Sequence, residues 1–349
     1  MADRPGQDTV FRPRDALALI RDEFELGFDE FSTPRSVLVV QLEDEDGLDQ
    51  LVAAARTLPC VVIGVAEGEP DAPNGFDILL SASSATRPWV QEADLGSALA
   101  GLIGCIEASP HASVALAELL RLSAASSIDD AIVAESFVYS MLQSGPTFGT
   151  WLGGRRPPRM VDREPSVLVT RSGGLLEVEL NRPSARNALN AEMRDGLLTV
   201  LHMVVADESI VSVRLSGRGP DFSSGGDLSE FGSAEDPATA HLVRVSRSIG
   251  RVLARCAERV MVDLHGACVG AGIEVPAFAE RVRASEDTRL RLPEVGFGLV
   301  PGAGGTVSIP RRIGRHRATY LAISGAWLDA PTALDWGLVD EVGPAAAAS

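Results

Sequence analysis

The stretch HGACVGAGIEVPAFAERVRASEDTRLRLPEVGFGLVPGAGGT, His265–Thr306, places two glutamates, Glu274 and Glu294, among glycines, prolines and apolar residues. An unpaired carboxylate is costly to bury, so a glutamate is ordinarily solvated surface. Two of them in so apolar a setting ask for a reason. Glycine at this density lets the main chain approach another chain segment or a ligand closely, although any tight turn uses it too.

Working outward, a third glycine-rich segment, GRGPDFSSGGDLSEF (Gly217–Phe231), lies upstream. Around these segments runs a repeating pattern. SVLVTRSGGLLEVELNRP (Ser166–Pro183) reads as two strands about a Gly-Gly turn. Asn190–Val205 reads as a helix, VSVRLSGRG as a strand, His241–Ala257 as a helix and RVMVDLHG as a strand. Strand–helix units with glycine-rich strand ends predict an α/β fold whose chemistry sits in the loops.

The first half reads differently. An acidic helix over Arg14–Phe31 precedes apolar strands at Ser36–Leu42, Cys60–Gly68 and from Phe76, with an amphipathic helix at Leu48–Leu58, a small α/β layer. Leu95–Leu152 is helical in pattern, and the Pro/Arg-rich residues 153–165 mark a boundary. The expected division is a small α/β region at 1–110, a helical module with linker at 111–160 and a second α/β region at 161–349. The terminal Ala345–Ala348 reads as a frayed tail.

The 349 residues carry a formal charge of −17, which repels nucleic acid and anionic membrane alike. Lysine is absent from the chain, so every fixed side-chain cation is arginine. Four scattered cysteines and five histidines show no metal-ligand or redox spacing, so no metal is expected. The N-terminus lacks the apolar segment of a signal peptide, and the longest apolar run, Leu95–Ile106, is short for a bilayer span. A cytoplasmic protein without a membrane partner is the expectation. No G-x-G-x-x-G stands between a strand and a helix, no Walker lysine exists, and no G-x-S-x-G occurs, so dinucleotide, P-loop and nucleophile-elbow chemistries are set aside.

Taken together, LNRPSARNALN, DFSSGGDL, HGACVGAGIE, LPEVGFGLVPGAGGT and ISGAWLDAPTALDWGLVDEV resemble, in order, the signatures of the crotonase family of enoyl-CoA hydratases and isomerases. The resemblance covers Ser166 to about Val342. It implies a crotonase-like spiral of strand–helix units in the C-terminal half, an acyl-CoA substrate with coenzyme A as part of it, no separate cofactor, and a homotrimer or hexamer. It further implies an oxyanion hole from the N–H groups of Gly226 and Ala271, an acid–base pair in Glu274 and Glu294, and a water positioned by Gly302. Ser184, Ala185, Arg186, Asp227 and Leu228 are the implied coenzyme A contacts. The leading expectation is a 2-enoyl-CoA hydratase; a double-bond isomerase, another enolate-forming lyase, or a non-catalytic CoA-binding subunit are the alternatives.

Two departures from the family pattern matter. Pro276, two residues after Glu274, requires the helix carrying Glu274 to start close to Ala271 or to bend. The family's closing C-terminal helices are not found after the G-L-V-D segment, whereas SSIDDAIVAESFVYSMLQSGPTFGTWLGGRRPP, within residues 112–158, resembles them and precedes the core. Either a permuted arrangement or a degenerate second copy follows, and a degenerate copy, lacking both acids and the oxyanion loops, is expected to be structural.

Overall fold

Residues 10–22, 35–43, 46–71, 74–154, 164–234 and 236–344 are described by a computed structural model. The later part of the expected helix at Arg14–Phe31, most of the 153–165 linker and the alanine tail lie outside the described residues.

The first half is built on five parallel strands in sequential order: β1 (Val10–Phe11), β2 (Val37–Gln41), β3 (Val61–Ala66), β4 (Ile78–Ser81) and β5 (Val90–Gln91). All six residues of β3, VVIGVA, are buried, because both faces of this sheet are covered. The period-two alternation sorts them: Val62 and Ala66 face α1 (Pro13–Ile20) and α2 (Leu48–Ala55), while Val61, Ile63 and Val65 face the rest of the molecule. Four helices follow: α3 (Leu95–Ala108), α4 (Pro110–Ser123), α5 (Ile128–Gln143) and α6 (Pro146–Gly153). Proline opens α4 and α6 at the first turn, where its missing N–H costs nothing. Ser127 caps α5 by accepting from the Asp130 N–H, with Asp129 and Asp130 on the positive end of the helix dipole.

The second half begins with the expected hairpin, β6 (Val167–Ser172) and β7 (Leu175–Leu180), turning through Gly173 at φ 61°. Then come α7 (Ala191–Ala206), β8 (Ser212–Gly217), α8 (Pro237–Ser246), α9 (Ile249–Ala254), β9 (Val260–Leu264), β10 (Ala267–Val269) and α10 (Ala271–Glu274). The chain ends with β11 (Arg281–Ser285), β12 (Arg289–Arg291), α11 (Gly305–Ile313), α12 (Arg315–Ser324), β13 (Leu328–Asp329), α13 (Ala330–Trp336) and β14 (Glu341–Gly343). A six-stranded sheet in the order β14-β11-β9-β8-β7-β6 is parallel except for the β6–β7 hairpin, and a three-stranded sheet is ordered β10-β12-β13. The helix expected over His241–Ala257 is two helices, because Ser248 accepts from the Arg251 N–H and starts a second one.

The boundary near 153–165 separates segments of sequence but not separate cores. One cluster of buried side chains runs from Val39, Ile63 and Leu80 of the first sheet through Leu116 and Tyr139 to Ile273 and Leu321 of the second half. Polar groups seal the same seam. Arg121 of α4 makes two hydrogen bonds to the buried Asp77, at 2.8 and 2.5 Å, while Arg315 of α12 stands 3.6 Å from the same carboxylate. Arg317 is buried, donates to the carbonyls of Trp89 and Ala85, and lies over the Trp336 ring at 5.0 Å. No single helix among the described residues is long and apolar enough to cross a membrane.

Candidate functional site

The Val269–Glu274 turn brings several chain segments of the second half together. Gly270 has φ 50°, a conformation that favours glycine. A methyl group there would stand 2.3 Å from Glu294 Oε1 and 3.6 Å from Glu274 Oε1, so the two carboxylates, twenty residues apart in sequence, meet over one glycine. Pro276 leaves this intact: α10 ends after four residues and Pro276–Phe278 continue as a 3-10 turn, so Glu274 sits in the first and only turn.

Glu274 and Glu294 line a cavity of about 530 Å³. Gly226 and Ala271 line it as well, and among the described residues neither backbone N–H has a protein acceptor. Ala271 is the first residue of α10, where an N–H is unpaired by construction. The Gly226 loop is pinned beside it, since Ser223 pairs with Cys268 in an isolated bridge and the Val269 N–H donates to the Ser223 carbonyl at 2.9 Å.

Four consecutive main-chain N–H groups, from Ala303 to Thr306, alternate between two carboxylates. Ala303 and Gly305 donate to Glu274 Oε2 at 2.7 and 2.9 Å. Gly304 donates to Glu135 Oε1 at 2.8 Å, and Thr306 gives both its N–H, at 3.0 Å, and its hydroxyl, at 2.7 Å, to Glu135 Oε2. Glu135 thus caps α11 from α5, a helix of the first half. Sequence reasoning passed over it. The signal available was the glutamate inside the segment resembling the family's closing helices. Of the two arrangements open for that segment, only the degenerate copy made it purely structural, and α5 contributes Glu135, Tyr139 and Gln143 to the cavity wall. α6 reinforces the same side, with Trp151 stacked on Phe297 at 4.7 Å and tilted against Phe231 at 5.8 Å.

Burial pushes all three acids upward. Glu135 rises to about 7, desolvation outweighing the hydrogen bonds from Thr306 and Gly304 and the charge of Arg244. Glu294 rises to about 8, from desolvation first and with Glu135 adding repulsion. Glu274 lies well above its usual range because it is desolvated and because Glu294 and Glu135 repel its charge. Its two amide donors pull the other way. Glu294 Oε2 is buried without a hydrogen-bond partner among the described residues, an arrangement that costs about 1–3 kcal/mol for a neutral acceptor and more for a charged one. Both members are thus shifted toward the protonated form, and their protons are lost as a coupled pair.

The other sequence candidates divide. Gly302 lines the cavity, close under the Tyr139 ring. Asp227 lines it too, but its carboxylate is held 3.0 Å from Arg182 Nη1 and accepts from the Ser229 N–H and hydroxyl. Burial raises its pKa, and these partners overcome that and lower it. Ser184, Ala185, Arg186 and Leu228 are not among the cavity-lining residues. Ser184 and Ala185 form a 3-10 turn, and Arg186 is exposed at φ 50° with Nε 3.7 Å from Asp221.

Residues 170–348 match the family model described as Enoyl-CoA hydratase/isomerase. The chain is 34% identical to the 2,3-dehydroadipyl-CoA hydratase of Escherichia coli over 178 residues, 51% of this chain and 69% of that protein. It is 32% identical to the trans-2-decenoyl-[acyl-carrier-protein] isomerase of Streptococcus mutans over 180 residues, 50% of this chain and 68% of that protein. A solved enoyl-CoA hydratase from Thermoplasma volcanium aligns with a TM-score of 0.48 at 34% identity, covering 52% of this chain and 73% of that one.

Proposed function

Because this chain belongs to the enoyl-CoA hydratase/isomerase family, we propose that it hydrates a 2-enoyl-CoA thioester. The observation that carries the reading is the meeting of Glu274 and Glu294 over Gly270, in the cavity that the N–H groups of Gly226 and Ala271 also line. A thioester oxygen seated at those two amides accepts hydrogen bonds that strengthen as negative charge builds on it. Each donor of that type is worth about 3–4 kcal/mol of barrier in comparable sites.

Addition of water needs one proton removed and one delivered. The ionised member of the carboxyl pair takes a proton from water as the oxygen bonds to the β-carbon; the protonated member gives its proton to the α-carbon as the enolate collapses. The pair is left with its proton exchanged between members, and no external acid or base is consumed. Mutual repulsion and burial favour the protonated form that delivers to the α-carbon, and the first proton lost from the coupled pair creates the base. Glu274 and Glu294 as one unit favour hydration over isomerisation, since a proton shuttled between two carbons needs no second carboxyl to handle water. The implied coenzyme A contacts at Ser184, Ala185, Arg186, Asp227 and Leu228, and assembly into trimers or hexamers, remain part of the family expectation.

The test is loss of the enoyl absorbance with 2-enoyl-CoA substrates, run beside conversion of 3-enoyl-CoA. Water addition that disappears in both Glu274→Gln and Glu294→Gln supports hydration. Conversion of only the 3-enoyl thioester assigns an isomerase, and tight acyl-CoA binding without turnover of either assigns a binding subunit.

A further inference from the structure

Three arginines line the cavity: Arg194, Arg244 and Arg247. Arg194 and Arg247 both pair with Asp195, at 3.0 and 2.9 Å. Arg244, from α8, has no acidic ion-pair partner among the described residues. Its guanidinium is held by neutral groups of α5: Nε donates to Ser136 Oγ at 3.2 Å, Nη1 to Gln143 Oε1 at 3.2 Å and Nη2 to Ser140 Oγ. The Tyr139 ring lies beneath it at 4.5 Å. Ser140 is itself fixed by donating to the Pro237 carbonyl at 2.9 Å. A guanidinium carries five N–H donors, and three of them are used here.

An arginine that is half-buried and oriented by hydroxyls, an amide and an aromatic face, with no carboxylate paired to it among the described residues, is a costly arrangement in a protein wall. Desolvation lowers its pKa, with Tyr139 and Glu135 opposing. The neutral cradle fixes the plane of the fork, and among the described residues Glu135 acts on its charge only from beyond ion-pair distance. Planar two-point recognition of a carboxylate is what such a fork does best. Its place along the cavity is also defined: Ser140 lies five residues beyond Glu135 on α5, which is roughly 7 Å along the helix axis. Ser136, which holds Nε, directly follows Glu135, so Arg244 and Glu135 share one wall of the cavity that Glu274 and Glu294 also line.

We propose that the acyl group of the substrate ends in a carboxylate, bound by Arg244, so that the protein acts on a short dicarboxylic enoyl thioester and not on a plain fatty acyl chain. The proposal rests on the acyl-CoA reading above. Arg244 sets specificity by binding the far end of the substrate and takes no part in proton transfer.

The experiment compares three 2-enoyl-CoA thioesters of equal length, ending in methyl, carboxamide or carboxylate, with the full chain and with Arg244→Met and Arg244→Lys. The expected result is a kcat/KM for the carboxylate on the order of 10- to 100-fold above the methyl analogue, as one charged hydrogen-bonded contact provides. Arg244→Met reverses that preference, and Arg244→Lys recovers part of it. Ser140→Ala, which removes one holder of the fork, gives a smaller drop confined to the carboxylate. Equal or better turnover of the methyl substrate by the wild type, with the ratio unmoved in Arg244→Met, overturns the proposal. So does a uniform rise in KM for all three thioesters that vanishes with the pantetheine analogues, since Arg244 then serves a phosphate of coenzyme A. If the wild type turns over none of the three, hydration fails as a reading. The proposal is then decided by calorimetry with the saturated thioesters, where tighter binding of the carboxylated one upholds it and equal binding overturns it.

Discussion

The two halves carry largely parallel sheets that differ in what their strand ends do. In the second half the loops after β8 and around β10 and β12 are glycine-rich and converge on the cavity, so backbone amides and two carboxylates reach one small volume. In the first half the strand ends face other protein: the turn beside β4 holds Asp77 against Arg121 and Arg315, and the carbonyls of Ala85 and Trp89 bind Arg317. One sheet presents its loops to a cavity and the other spends them on a seam. Yet the first half is not bystander structure, because its helix α5 returns Glu135 to the N–H strip that also holds Glu274. Reactivity and support are therefore divided by loops and helices, not by the midpoint of the chain.

Breaking the comparison at its strongest point means removing the proposed proton carriers. Glu274→Gln and Glu294→Gln are each expected to lower kcat on the order of 10²- to 10⁴-fold with 2-enoyl-CoA, while the thermal midpoint holds or rises, since a buried, repelled carboxyl becomes neutral. Steady-state rates alongside thermal denaturation check both halves of that statement. The reciprocal experiment strikes the seam. Asp77→Ala strands Arg121 and Arg315 and leaves the Val62 N–H, 2.8 Å from Asp77 Oδ2, without its acceptor. Loss of about 3–5 kcal/mol in urea unfolding is expected, with turnover per folded molecule near that of wild type.

Glu135→Gln sits between these two. An amide cannot accept from Gly304 and from both donors of Thr306 at once, so about 1–3 kcal/mol of stability is lost. The more telling readout is pH. Glu135 repels the charged forms of Glu274 and Glu294, so its neutralisation eases their ionisation. The alkaline limb of the kcat profile is expected to move to lower pH, and an unshifted limb would reduce Glu135 to a helix cap. The smallest effect is on stability against pH. Glu135 and Glu294 rise from 4.5 to about 7 and about 8 on folding, so the folded chain holds more protons than the unfolded one between those values. Their contribution is complete below about pH 4.5 and is lost as pH rises through 7 to 8, a decline in urea midpoint that Glu294→Gln should shrink.

Much of this was legible before folding was considered. Alternation in SVLVTRSGGLLEVEL and the Gly-Gly turn specify the β6–β7 hairpin, because side-chain period and turn conformation are local properties. The glycine segments and Glu274 and Glu294 stand out in the primary structure for the same reason. The break between α8 and α9 was missed because a serine cap at Ser248 is a weaker local signal than the apolar periodicity running through it. Glu135 was legible only as a glutamate inside the segment resembling the family's closing helices, and Arg244 not at all. Glutamate in SSIDDAIVAESFVYS looks like the solvated face of an amphipathic helix, and nothing in sequence relates it to Gly304, 169 residues away.

By itself, then, the sequence determined the strand–helix rhythm, the glycine turns and which two acids stand in apolar surroundings, all of them consequences of neighbours within a few residues. Tertiary structure decided that those acids meet over Gly270, that a helix from the first half closes on them, and that Arg244 has no carboxylate at ion-pair distance among the described residues. Such facts depend on long-range packing, which sets distance and dielectric around a charge, and neither quantity is written in the order of residues along a chain.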